Sequence, residues 1–197
     1  GVVTAVGDGV ADVAVGDRVM AYVGFGGARE QIAVPADALV PIPDGVSDTA
    51  AAGVAITYGT AIHGLKDRGH VQPGETVAVL GAAGGAGLAA VEIAKLMGAH
   101  VVAVASSEEK LSVCKAHGAD TLLNYADTDL KSALRALNGG AGVDVVYDCV
   151  GGDSSEAALR AMAWEGRFLV VGFASGEIPK VPLNLLLLRG ADAVGVF

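Results

Sequence analysis

Cysteine is scarce in this chain, with only Cys114 and Cys149 among 197 residues, far apart and in no CxxC arrangement. That spacing excludes a disulfide framework and reads as two buried free thiols in a reducing, cytoplasmic setting. Histidine is almost as rare, and His63, His70, His100 and His117 share no ligand-like spacing with each other or with carboxylates, so no metal site is expected. Charged residues make up 18% of the chain, and the 13 Lys and Arg are outnumbered by 22 Asp and Glu, leaving a net charge of −9. A nucleic-acid surface needs clustered cations and is excluded. No apolar run approaches the ~18 residues that a membrane span requires. The longest aliphatic block, Leu183 to Gly190, is far too short. Hydrophobic residues nevertheless form 52% of the sequence, enough to bury a substantial core in one or two domains.

The richest signal lies between Glu75 and Gly87, where the sequence reads ETVAVLGAAGGAG. Val77 to Leu80 is an apolar run too short for a helix and suited to a buried parallel strand. Gly81, Gly84 and Gly87 follow at three-residue spacing and open an Ala-rich helix. Such glycines permit a tight strand–helix turn, and they also let backbone N–H groups approach a pyrophosphate at the positive end of the helix dipole. In this strand–turn–helix context the second reading is favoured, with Gly84, Gly85, Ala86 and Gly87 as the phosphate-binding candidates.

Elements then alternate. The helix over Leu88–Met97 is apolar nearly all round, and Gly98 ends it. Strands are expected at Val101–Ala105, Thr121–Asn124, Val143–Val150, Arg167–Phe173 and Ala193–Phe197, with helices at Ser106–Lys115, Thr128–Leu137 and Ser154–Ala163. Ser106 and Glu109 have the spacing of a capping box. The pattern predicts an α/β fold, a doubly wound parallel sheet of the Rossmann type over residues 49–197. Residues 1–48 differ, with short alternating runs at Gly1–Val6 and Asp17–Tyr22 and helix-breaking Pro35, Pro41 and Pro43. They read as a small β unit with too little material for its own core, joined to the sheet by a helix from Ser47 to about Leu65.

An NAD site usually ends its second strand with an acid that bonds the adenosine ribose. Here Ala105 occupies that position, followed by Ser106, Ser107 and Lys110, which supply donors for an extra phosphate and favour NADPH. Ser106 is equally suited to capping the helix, Lys110 to facing solvent, and Glu108 and Glu109 bring opposing charge. Ligands of open parallel sheets sit at the carboxyl ends of the strands, which puts Val150, Gly151, Gly172, Phe173 and Ala174 beside a nicotinamide ring. Plain turn chemistry is the other reading of these glycines. Asp148, within VVYDCVG, reads as a structural hydrogen-bond partner and not as a catalytic acid.

The ordered segments GVVTAVGDGV, VGDRVMA, VPADALVPIPDGVS, YGTAIHGL and GAAGGAGLAAVEIAK together resemble the medium-chain dehydrogenase/reductase superfamily. Within it the chain is most similar to the zinc-independent quinone oxidoreductases of the zeta-crystallin branch. The resemblance implies that residues 1–48 are part of a truncated GroES-like β-barrel catalytic domain and that the chain is an internal fragment of a longer enzyme. It further implies that Thr60 contacts the nicotinamide, with helix capping or packing as the other reading of that residue. Tyr125 then joins Ser106 and Lys110 at the phosphate. The cysteine ligand of the zinc-dependent branch falls at Ile56, and its structural-zinc loop falls on the cysteine-free stretch Val19–Val34. The expected activity is hydride transfer from NADPH to a quinone or similar conjugated carbonyl by a homodimer joined near Ala191–Phe197. An enoyl-thioester or enone reductase shares fold and cofactor, and a non-enzymatic NADPH-binding protein is the alternative of another class.

Overall fold

A computed structural model describes all residues from Gly1 to Phe197. The chain separates into two compact units, Gly1–Thr57 and Tyr58–Phe197. In the first, β1 (Val19–Ala21) pairs antiparallel with β2 (Leu39–Pro41), Met20 opposite Val40. The alternating run at the start contributes one bridge, Val2 to Arg18, and no full strand. A single 3-10 turn, Ala36–Ala38, follows Pro35. Ile42 and Ala51 are the only buried apolar residues of this unit, so hydrophobic burial contributes little to it. Arg18 ties the sheet to the following helix: its guanidinium donates to Val46 O at 2.7 Å and to Asp48 Oδ1 at 2.6 Å. That hydrogen bond and charge hold the Asp48 carboxyl below its ordinary range.

Helix α1 (Asp48–Ile62) runs across the boundary between the units and continues as a π-helical segment, His63–Arg68. The widened turn begins where Gly64 lies against the ring of Tyr147; a Cβ there would stand 2.9 Å from Tyr147 Cε2. No sequence pattern announced this change of helical pitch.

The second unit is a six-stranded parallel sheet in the order β5-β4-β3-β6-β7-β8. Its strands are β3 (Thr76–Leu80), β4 (His100–Ala105), β5 (Thr121–Asn124), β6 (Val143–Asp148), β7 (Met162–Val170) and β8 (Asp192–Gly195). The helices are α2 (Gly85–Leu96), α3 (Glu108–Ala116), α4 (Leu130–Arg135), α6 (Asp153–Arg160) and α7 (Asn184–Leu187); between α4 and β6 the turn α5 (Leu137–Gly140) is left-handed at Asn138, φ 51°, and Gly139, φ 66°. Side chains alternate across the sheet, which explains its two cores. Val77, Val79, Val101 and Ala103 pack on one face with Ala90, Val91 and Ala94 of α2. Ala78, Leu80, Val102 and Val104 pack on the other with Leu134 and Leu159. Every residue of β3 is buried, as a strand covered on both faces must be.

Two expectations require correction. Helix α6 stops at Arg160, and Met162 and Ala163, expected to be helical, begin β7. The pairing of β6 with β7 jumps from Val143↔Met162 to Val145↔Arg167, so Ala163–Gly166 loops out of the ladder, with Glu165 at φ 57°. The second correction concerns the cap of α3 and belongs to the site. Near the C-terminus the aliphatic block forms the single turn α7.

Candidate functional site

The chain runs outward from β3 to β4 and β5, then returns to place β6 on the other side of β3. The loops after β3 and β6 therefore diverge, opening a crevice where the strand order reverses, the usual ligand position in this architecture. Gly81 turns the chain out of β3 with φ +71°. Its N–H and that of Ala82 donate to Val104 O, at 3.1 and 3.2 Å, and Gly84 N–H closes the turn on Gly81 O at 3.0 Å. Helix α2 rests directly on this turn. A Cβ on Gly87 would lie 2.2 Å from Gly81 O, and one on Gly81 would lie 2.6 Å from Val150 Cγ2 across the crevice. Gly84 provides no side-chain cap, and no acceptor in the chain meets the N–H groups of Gly85, Ala86 and Gly87. Unpaired donors at a helix N-terminus, with glycine allowing close approach, fit a pyrophosphate.

One strand away, β4 ends in the buried Ala105. Ser107, not Ser106, caps α3, its hydroxyl accepting from Lys110 N–H. Ser106 Oγ instead accepts from Lys110 Nζ at 2.9 Å, so the ammonium and hydroxyl form a pair at the end of the strand. The capping-box reading of Ser106 is thus overturned: Lys110 engages Ser106 and leaves Ser107 to the helix. Tyr125 N–H donates to Ala105 O at 3.1 Å, setting Tyr125 beside that end with its side chain half exposed. Asn124, the last residue of β5, is paired with Ala105.

The loops after β6 and β7 are knitted into one wall. Asp148 is buried, and its Oδ1 accepts from Val150 N at 2.8 Å and Gly151 N at 3.0 Å while its Oδ2 accepts from Ser155 Oγ at 2.5 Å. The Asp148 carbonyl accepts from Val171 N and Gly172 N, Cys149 O from Ala174 N, and Val150 O from Ser175 N, all between 2.9 and 3.1 Å. These bonds bring Val150, Gly151, Gly172, Phe173 and Ala174 together. Asp148 spends its acceptors on this framework, consistent with a structural carboxylate. The role of Ser155 was missed; its signal is a hydroxyl in the first turn of the helix after the strand. Burial, reinforced by the charge of Asp148, pushes the Cys149 thiol up to about 12, which leaves it protonated and poorly nucleophilic.

Thr60 is half-buried on α1, and its side chain makes no hydrogen bond to the loops. Its neighbour Tyr58 donates to Glu92 of α2, which also bonds His117 Nδ1 at the end of α3. Burial opposes ionisation of Glu92, but the bonds from Tyr58 and His117 outweigh it and lower its pKa. A cavity of about 470 Å³ lies beside Gly152, lined by Asp153, Glu156 and Glu177. Lys180 also lines it, so its charges are mixed. No three His, Cys, Asp or Glu side chains stand together as a metal-ligand set.

The sequence pattern of zinc-binding dehydrogenases matches residues 85–197, from the start of α2 to the last residue. The chain belongs to this family. It thereby falls within the medium-chain dehydrogenase/reductase superfamily, as its sequence motifs implied. A bovine quinone oxidoreductase-like protein 2 is 45% identical over 198 residues, covering all of this chain but 57% of that relative. This member of the superfamily therefore spans little more than half the length of its relative. The quinone oxidoreductase of Thermus thermophilus, determined also with NADPH, superposes with a TM-score of 0.83 at 36% identity over 94% of this chain and 58% of that one. CurK enoyl reductase superposes with a TM-score of 0.87 at 30% identity over 100% of this chain and 58% of its own. The doubly wound α/β sheet expected from the alternating elements is the fold observed.

Proposed function

We propose that this chain forms the NADPH-binding part of an oxidoreductase that passes a hydride to a quinone or similar conjugated carbonyl without a metal ion. The reading is supported by one observation: unpaired N–H groups at the start of α2 and a Ser106–Lys110 pair one strand away stand at the same, carboxyl end of the sheet. In this reading Gly84, Gly85, Ala86 and Gly87 hold the pyrophosphate, and Ser106, Ser107, Lys110 and Tyr125 read the 2′-phosphate. Val150, Gly151, Gly172, Phe173, Ala174 and Thr60 line the nicotinamide. When bound, NADPH supplies the hydride. The protein's share is orientation and exclusion of water, with residues 1–48 belonging to the catalytic domain. Ile56 at the family's cysteine position supports metal independence. The edge of β8, bonded only to β7, supports pairing with a second copy.

A second reading, enoyl-thioester reduction, is favoured by the likeness to CurK enoyl reductase. Binding and turnover by the full-length protein test both. NADPH should bind more tightly than NADH, and Lys110→Ala should weaken NADPH about tenfold or more, the loss of one charged hydrogen bond. Equal affinities with no effect of Lys110→Ala would refute the cofactor assignment. NADPH oxidation by an enoyl thioester but not by a quinone would replace the first reading with the second.

A further inference from the structure

We infer that Asn124 is a positioning residue for cofactor choice, holding two carboxylates away from the Ser106–Lys110 pair. This rests on the NADPH reading of that pair. Asn124 ends β5 directly beside Ala105, where an NAD-binding sheet would carry its acid. Its Nδ2 donates to Asp127 Oδ2 at 2.6 Å and to Glu108 Oε1 at 3.4 Å, while its Oδ1 accepts from Ala126 N at 3.1 Å. One neutral amide thus engages two of the acids near the phosphate-reading residues, Glu108 and Asp127, and it shapes the turn that carries Tyr125. Glu108 begins α3 two residues after Ser106 and two before Lys110, so an untethered carboxylate at this position competes for the ammonium and repels a phosphate dianion. Ala105 removes one acid from the site; Asn124 restrains two of those that remain nearby, and Glu109 lies in the first turn of α3 outside its reach.

The test is equilibrium titration of NADPH and NADH into full-length protein, with melting curves to show that each variant is folded. Asn124→Ala should weaken NADPH about fivefold and NADH less than about twofold, with the difference shrinking as salt is raised. Asn124→Asp keeps the oxygen that accepts from Ala126 N–H but replaces the amide donor with a third charge, so it should discriminate against NADPH more strongly. Neutralising the released charges, by Glu108→Gln with Asp127→Asn in the Asn124→Ala background, should restore the preference. A merely structural role would weaken both cofactors alike and would not be rescued; either result overturns the inference, as does unchanged NADPH binding. Lys110→Ala run alongside separates the two levels. If it lowers the NADPH preference while Asn124→Ala does not, this inference alone fails. If Lys110→Ala leaves the preference unchanged, the phosphate reading fails and the inference with it.

Discussion

Replacing Gly87 with alanine separates what the glycine turn contributes to folding from what it contributes to binding. Gly87 is the third residue of α2, and in an exposed helix alanine there would be favoured by about 1 kcal/mol. Here the added Cβ would lie 2.2 Å from Gly81 O and 2.9 Å from Ala82 Cα. Both are backbone atoms of the turn, so no side chain can rotate away and the helix itself must move. Overpacking costs about 1–3 kcal/mol, and an immovable neighbour puts this case at the upper end. After the helix-propensity gain, a net loss of about 2 kcal/mol is expected. The displaced helix also carries the unpaired N–H groups of Gly85 and Ala86 out of register with a pyrophosphate, so NADPH affinity should fall about tenfold, equivalent to about 1.4 kcal/mol. Gly84→Ala is the control. Its Cβ would meet Gly81 O at 3.4 Å, an ordinary contact, with φ −76°, and its stability should fall by no more than about 1 kcal/mol, the preference for glycine over alanine at an N-cap. Urea denaturation and cofactor titration of the two variants give the numbers. A Gly87→Ala protein as stable as the parent, with unchanged affinity, would refute the close-packing argument.

Tyr147 buries a hydroxyl that has no partner, and such a group costs about 1–3 kcal/mol. Tyr147→Phe should therefore stabilise the protein by about 1 kcal/mol, seen as a melting temperature about 3 °C higher; a loss of similar size would reveal a partner for the hydroxyl. The Glu92 tie gives a pH dependence. Because its folded pKa lies below the ordinary 4.5, its contribution is complete above about pH 4.5 and is lost as pH falls through the folded value. Glu92→Gln should be less stable at neutral pH and should show a shallower acid loss in urea titrations at stepped pH. An acid slope unchanged from the parent would contradict the tie.

Local pattern carried much of the fold. Thr121–Asn124 was readable as a strand because apolar residues stand between clear turn signals, and β5 occupies those same residues. The end of α6 was not readable, since Met162 and Ala163 extend an apolar helical pattern that only the pairing of β6 with β7 interrupts. Ser106 and Ser107 illustrate the same limit at the site. Capping spacing selects Ser106 by its relation to Glu109, but the choice is made by where the Lys110 ammonium lands, a three-dimensional fact. The alternation in Gly1–Val6 showed a capacity for strand without naming a partner, and the partnership amounts to one bridge. Asp148 was legible as a hydrogen-bonding carboxylate, but its link to Ser155 required the first turn of α6 to return over the end of β6.

The two ends of the sheet divide the work of folding and binding. At the amino end polar side chains pair with one another and with the backbone, the buried Arg167 Nε excepted. Thr76 N–H donates to Asp144 Oδ2 at 2.7 Å, Thr76 Oγ1 donates to Asn138 Oδ1 at 3.0 Å, and Arg167 bonds Glu75 at 2.6 Å. Asp120 accepts from Val101 N–H at 2.8 Å and from Lys95 Nζ at 2.5 Å. At the carboxyl end, by contrast, the N–H groups of Gly85, Ala86 and Gly87 are left without acceptors in the chain. Donors without a partner in the chain contribute nothing to the stability of the free protein. The crevice can remain open because the apolar faces of β3 and β4 and the pairs at the opposite end hold the strands in place without it. Asp148 and Ser155 are the exception at the carboxyl end. They satisfy one another and the Val150–Gly151 backbone, which fixes the wall of the crevice by hydrogen bonds within the chain.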